Sequence, residues 1–109
     1  MKPSVVTGVL AIAFLAGQSS AQWTFSTLHP KGAGESVGYS ASGGQQGGYV
    51  FRDGIVRAAL WSGTAASWVD LNPVGSTDSV VSAIDGDQQV GYAWIGGQRA
   101  GLWSGTADS

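Results

Sequence analysis

Apolar positions follow two different patterns along the chain. Residues 5–17 (VVTGVLAIAFLAG) are apolar or small without a break. Farther on, aromatic and aliphatic side chains recur at every second position, as in Tyr49 and Phe51 or Val90, Tyr92 and Trp94. That period places alternate side chains on one face of a strand. Strands are predicted over Val37–Ala41, Arg57–Trp61, Ser67–Leu71, Val80–Ile84 and Arg99–Trp103, besides the two aromatic runs. Asp53-Gly54 and Gly96-Gly97 separate apolar runs at equivalent places, and both dipeptides suit a two-residue hairpin turn with positive φ. Gly48 and Gly91 fall on the face opposite the aromatics, where a missing side chain lets another backbone come close.

The continuous apolar run marks a leader. Lys2 provides the early positive charge, the run is too short for the ~20 residues of a membrane-spanning helix, and Ser19 and Ala21 supply the small residues of a cleavage site. Residues 1–21 are therefore expected to be a signal peptide cut before Gln22, and the mature protein to be secreted, extracellular or periplasmic, with no membrane attachment after cleavage.

The mature part repeats itself. Arg57-Ala58-Ala59-Leu60-Trp61-Ser62-Gly63-Thr64-Ala65 matches the nine residues from Arg99 to Ala107 at all positions but one. Gln45-Gln46-Gly47-Gly48-Tyr49 matches Gln88-Gln89-Val90-Gly91-Tyr92, and Leu28-His29-Pro30 matches Leu71-Asn72-Pro73. The period is 42–43 residues, with the one-residue slips at glycine-rich points. The expected fold is all-β: antiparallel four-stranded units of about 43 residues, the size of one β-propeller blade. The first spans residues 22–73 with an N-terminal strand. The second spans residues 74–109 and lacks its last strand.

The Gly-x-x-Arg-Ala-x-Leu-Trp block of residues 54–61, Trp-Val-Asp-Leu-Asn-Pro at 68–73 and Val-Gly-Tyr at 90–92 resemble the bacterial extracellular HAF-type repeats, and the longer wording around them resembles tandem repeats of planctomycete-like secreted proteins. The name-giving His-Ala-Phe is replaced here by Arg57-Ala58-Ala59 and Arg99-Ala100-Gly101. The resemblance covers most of residues 28–109 and rests on structural motifs. It implies propeller-blade-like units and carries no activity to any residue.

Composition narrows the chemistry. Charged residues make up 11% of the 109 residues, with a formal net charge of −2, so a phosphate-binding surface for nucleic acid is not expected. No cysteine is present, which removes thiol catalysis, disulfides and cysteine-ligated metals. Glu35 is the sole glutamate and His29 the sole histidine; His29 has no second histidine at ligand spacing and reads as a surface residue. No catalytic residue, cofactor or metal is expected, and the chain does not read as an enzyme.

Three residues stand out as candidate ligand contacts. Trp94, which replaces Phe51, has the flat apolar surface to stack on a sugar ring, so a glycan is the candidate ligand. Asp85 and Asp87 flank Gly86 and offer two carboxylates, although Asp85-Gly86-Asp87 lacks the alternation and distal Glu of a calcium loop; a solvated turn is the plainer reading. Trp61 and Trp103 recur in both copies and read as packing residues. Arg57 and Arg99 each precede such a tryptophan by four and are expected to pair with Asp70 or lie over a ring. Variation between the copies concentrates in residues 42–47, 74–79 and 84–90, where a ligand would sit.

Two functional readings follow: a secreted, non-catalytic β-repeat module for binding or surface structure, or a small exported polysaccharide-acting enzyme using aspartate carboxylates. Two blades cannot close a ring, so the chain reads either as a fragment of a longer array or as a subunit that self-associates through unpaired edge strands. In the second case residues 23–30, which end in the same Leu-x-Pro as 71–73, replace the missing strand of another blade.

Overall fold

A computed structural model describes residues 23–108; the leader expected over residues 1–21 lies outside the described residues. The chain is all-β. Strands β1 (Glu35–Ser42), β2 (Gln45–Arg52), β3 (Ile55–Trp61) and β4 (Val69–Asp70) form one antiparallel sheet in sequence order, and β5 (Ser79–Asp85), β6 (Gln88–Trp94) and β7 (Gln98–Trp103) form a second. No closed sheet occurs among the described residues, and no helix there is long and apolar enough to cross a membrane.

The turns follow from their glycines. Gly43-Gly44 and Asp53-Gly54 carry positive φ at both central positions (59° and 81°, 55° and 78°), the arrangement whose twist matches the flanking strands of a two-residue hairpin. The β6–β7 hairpin departs from expectation. Trp94 pairs with Gln98, so Ile95-Gly96-Gly97 is a three-residue loop, closed by the Ile95 N–H donating to the Gly97 carbonyl at 2.9 Å. The second copy is one residue shorter between its tyrosine and its arginine, and the missing residue removes the last cross-strand pair. The expected strand over Ser67–Leu71 is also trimmed. A 3₁₀ turn at Ala65–Ser67 precedes it, and only Val69–Asp70 pairs with β3.

Both first strands carry a β-bulge, at Tyr39 between Gly38 and Ser40 and at Ser82 between Val81 and Ala83. These positions are 43 apart. Beside each bulge lies the glycine noted above. A Cβ on Gly48 would overlap the Val37 carbonyl oxygen, and one on Gly91 the Val80 carbonyl oxygen. The backbone that comes close is thus the adjacent strand of the same sheet, pushed inward by its extra residue.

Each sheet has a face bearing Leu60 or Leu102, called here the Leu face, and a face bearing Trp61 or Trp103, the Trp face. The Leu face of the first sheet packs on the Trp face of the second. Ala58, Leu60, Leu71, Val81 and Trp103 are all buried there, with Ile84 beside them. Gly47 makes this approach possible, since a Cβ on it would meet Val81 Cγ1 at 2.7 Å and Ile84 Cδ1 at 2.9 Å. Burying Leu71 and Val81 completely stabilises the stack by about 1.5–3 kcal/mol each. On the Trp face of the first sheet, Val50, Ala59 and Trp61 pack against Leu28 and Ala33 of the N-terminal segment and against Trp68, which precedes β4.

Candidate functional site

The polar side chains that recur in both copies are used to join elements. Ser79, fully buried, accepts the Ala58 N–H at 2.8 Å and donates to Asn72 Oδ1 at 2.6 Å; Asn72 Nδ2 donates to the Ser76 carbonyl at 3.2 Å, and its N–H to Asp70 Oδ1 at 2.9 Å. The loop from β4 to β5 is thereby tied to itself and to the first sheet. His29, 43 positions earlier, makes the corresponding bonds. Its Nδ1 meets Ser36 Oγ at 2.7 Å, its Nε2 meets the Ala33 carbonyl at 2.9 Å, and its N–H donates to Thr27 Oγ1 at 3.1 Å. With the proton on Nε2, the imidazole accepts and donates where the Asn72 amide does. His29 is exposed, as expected, but its role was readable only from its alignment with Asn72.

Gln46 and Gln89 do equivalent work at the other end of the sheets. Their Oε1 atoms accept the Gly63 and Gly105 N–H groups, each at 2.8 Å, and Gln89 is fully buried. Arg57 pairs with Asp70 at 3.1 Å and donates from Nε to the Arg52 carbonyl at 3.2 Å. This is the sole ion pair among the described residues. Trp61 and Trp103 are 1% and 3% exposed, as packing residues should be.

The candidate ligand contacts do not converge. Asp85 and Asp87 stand exposed at the β5–β6 turn, where Gly86 alone carries a positive φ (60°). Trp94, 46% exposed, ends β6 at the opposite end of the sheet. At about 3.3 Å per residue, the strand between them spans roughly 20 Å. Trp94 instead sits with the 74–79 loop: its N–H donates to the Asp78 carbonyl at 2.7 Å, and its carbonyl accepts the Thr77 N–H at 3.1 Å. The three variable loops therefore divide between two ends of the sheets, 42–47 and 84–90 at one and 74–79 at the other, because each strand carries the chain across the full sheet. Among the described residues no group of three His, Asp or Glu side chains is placed to hold a metal ion.

What remains open is a surface. The Leu face of the second sheet exposes Val90 (45%) and Leu102 (54%), with Ala100 and Trp94 beside them. A shallow hollow of about 460 Å³ lies there, lined by Ser82, Val90, Gly91, Tyr92, Gln98 and Ala100. The corresponding Leu60 of the first sheet is 3% exposed, because the second sheet covers it. Sequence reasoning missed this asymmetry, since Leu60 and Leu102 sit in nearly identical local sequence. No known family model, curated protein or solved structure matches the chain.

Proposed function

We propose that this chain is an exported, non-catalytic β-repeat protein, built from propeller-blade-type units of the kind its HAF-like sequence implies, and that it serves as a surface-structural module. One observation carries the reading: the polar side chains most suited to chemistry are spent on holding the units together. Asn72, Ser79, Gln89 and the Arg57–Asp70 pair all bond within or between sheet elements. The exposed carboxylates of Asp85 and Asp87 stand on a turn, far along the strand from Trp94. The export half of the reading rests on the leader pattern of residues 1–21.

Two measurements test it. N-terminal sequencing of protein recovered outside the cytoplasm should begin at Gln22, and an intact Met1 would contradict export by cleavage. Incubation with a panel of polysaccharides should release no reducing ends. Release that disappears in a folded Asp85→Ala, Asp87→Ala double variant would replace the module with a carboxylate enzyme.

A further inference from the structure

The two sheets stack Leu face to Trp face, and both surfaces of that joint occur a second time in the chain. We propose that a second copy of this chain docks on the open Leu face of the second sheet, presenting the Trp face of its first sheet, and that its residues 23–28 add as a fourth strand along β7. The resulting contact is head to tail. This goes beyond the surface-structural reading by naming the partner, and its test does not depend on whether the protein also acts on glycans.

The strand comes first. In the first sheet β3 is paired on its outer side by Val69–Asp70, with Val69 opposite Leu60, and the Leu71 N–H donates to the Ala58 carbonyl at 2.8 Å. β7 has β6 on one side and no strand on the other among the described residues. Ser26, Thr27 and Leu28 are the 43-residue counterparts of Val69, Asp70 and Leu71. They already make one matching bond, because Thr27 Oγ1 accepts the His29 N–H as Asp70 Oδ1 accepts that of Asn72. Yet Trp23 and Phe25 are 97% and 93% exposed, and among the described residues no strand pairs with this segment. Placed on β7, Ser26 stands opposite Leu102 and the Leu28 N–H meets the Ala100 carbonyl. Adding a strand to an open edge satisfies main-chain groups on both sides.

The faces fit by size as well. At the joint within the chain, Gly47 makes room for Val81 and Ile84. On the open Leu face the counterpart of Gly47 is the bulky Val90, while the counterparts of Val81 and Ile84 on the Trp face of the first sheet are Gly38 and Ala41. Large and small have changed sides. Gly38 and Ala41 are both exposed, a Cβ on Gly38 would meet nothing within 4 Å, and a hollow of about 330 Å³ opens beside it between Gly38, Trp61 and Leu28. A second copy therefore offers space where Val90 projects, which a repeat carrying Val81 and Ile84 does not. Within one chain the two surfaces lie on opposite sides of the stacked sheets, so they meet only between chains, as in a heterologous interface.

Sedimentation equilibrium of the exported protein at high micromolar concentration tests this. The wild type should sediment as a multiple of the chain mass, and a wild type that stays monomeric overturns the proposal. Leu102→Glu blocks the open face and Ser26→Pro removes the strand's N–H; each should weaken association by at least about tenfold. Both positions are exposed, so folding should be retained, which circular dichroism verifies. Gly38→Val, which fills the space for Val90, should weaken association likewise. The decisive arm mixes Leu102→Glu with Ser26→Pro. Each supplies one intact end, so the mixture should form a one-to-one pair and stop. Self-association of Ser26→Pro alone as strong as that of the wild type, as symmetric pairing of two Leu faces would give, overturns the head-to-tail arrangement.

Discussion

The Val37 carbonyl oxygen occupies the space that a side chain at Gly48 would need. The bulge at Tyr39 pushes that carbonyl toward β2, and the same relation joins Val80 to Gly91 in the second sheet. Glycine is required at both positions by contact with backbone, which has no rotamer to yield. Gly48→Ala and Gly91→Ala should each destabilise the fold by about 3 kcal/mol, the upper part of the range for overpacking. Denaturant titration measures it. Gly38→Ala, with open space around its Cβ, should barely move the midpoint; equal losses at all three would show that the bulge does not impose the requirement.

The buried Ser79 hydroxyl serves two groups at once. Ser79→Ala leaves the Ala58 N–H without its acceptor inside the stack and frees Asn72 Oδ1. A loss of about 1–3 kcal/mol is expected, the penalty for a buried donor left unmade. Ser36→Ala at the counterpart position loses only a bond to the exposed His29, so its effect on the thermal midpoint should be clearly smaller.

Arg57 and Asp70 lie near the surface, their side chains 20% and 41% exposed. Asp70→Asn should therefore destabilise by no more than about 1 kcal/mol, shrinking as salt is raised. A larger, salt-independent loss would move the weight from the ion pair to the Asp70 Oδ1 cap on the Asn72 N–H.

Tyr49 titrates above the ordinary phenol value of 10.0, first because partial burial disfavours the phenolate, then because the Glu35 carboxylate repels it and accepts the phenol's hydrogen bond, with smaller effects from Tyr39 and Tyr92. The folded state therefore holds this proton more tightly than the unfolded chain. Its contribution to stability is complete below about pH 10 and disappears as pH rises through the folded value. Glu35→Gln should bring the Tyr49 phenolate transition, followed by ultraviolet absorbance, back toward 10; an unmoved transition would mean that burial alone sets it.

Much of this architecture was legible in the sequence because its signals are local. The alternation of Val90, Tyr92 and Trp94, the Asp53-Gly54 turn, and the pairing of Gly48 and Gly91 with a close backbone each depend on a few neighbouring residues. The bulges were not. Tyr39 and Ser82 share no turn chemistry, and only the register of β1 against β2 and β5 against β6 reveals the extra residue. The shortened β4 was hidden for a similar reason: Ala65–Ser67 carries no Gly or Pro to break a strand, and Ser67 closes the turn by accepting the Ser62 N–H and donating to the Thr64 carbonyl. Of the candidate contacts, the separation of Trp94 from Asp85 and Asp87 follows from strand length alone. The unequal exposure of Leu60 and Leu102 does not, since burial there depends on which sheet has a neighbour.

The stacking of the two sheets through Gly47 supports everything else, and nuclear Overhauser contacts read it most directly. In protein labelled at valine and isoleucine methyls, the Gly47 α-protons should show cross-peaks to Val81 Cγ1 and Ile84 Cδ1, with the Trp103 ring close to the Leu71 methyls. A well-dispersed spectrum in which Gly47 has no cross-peak to β5 would contradict the account.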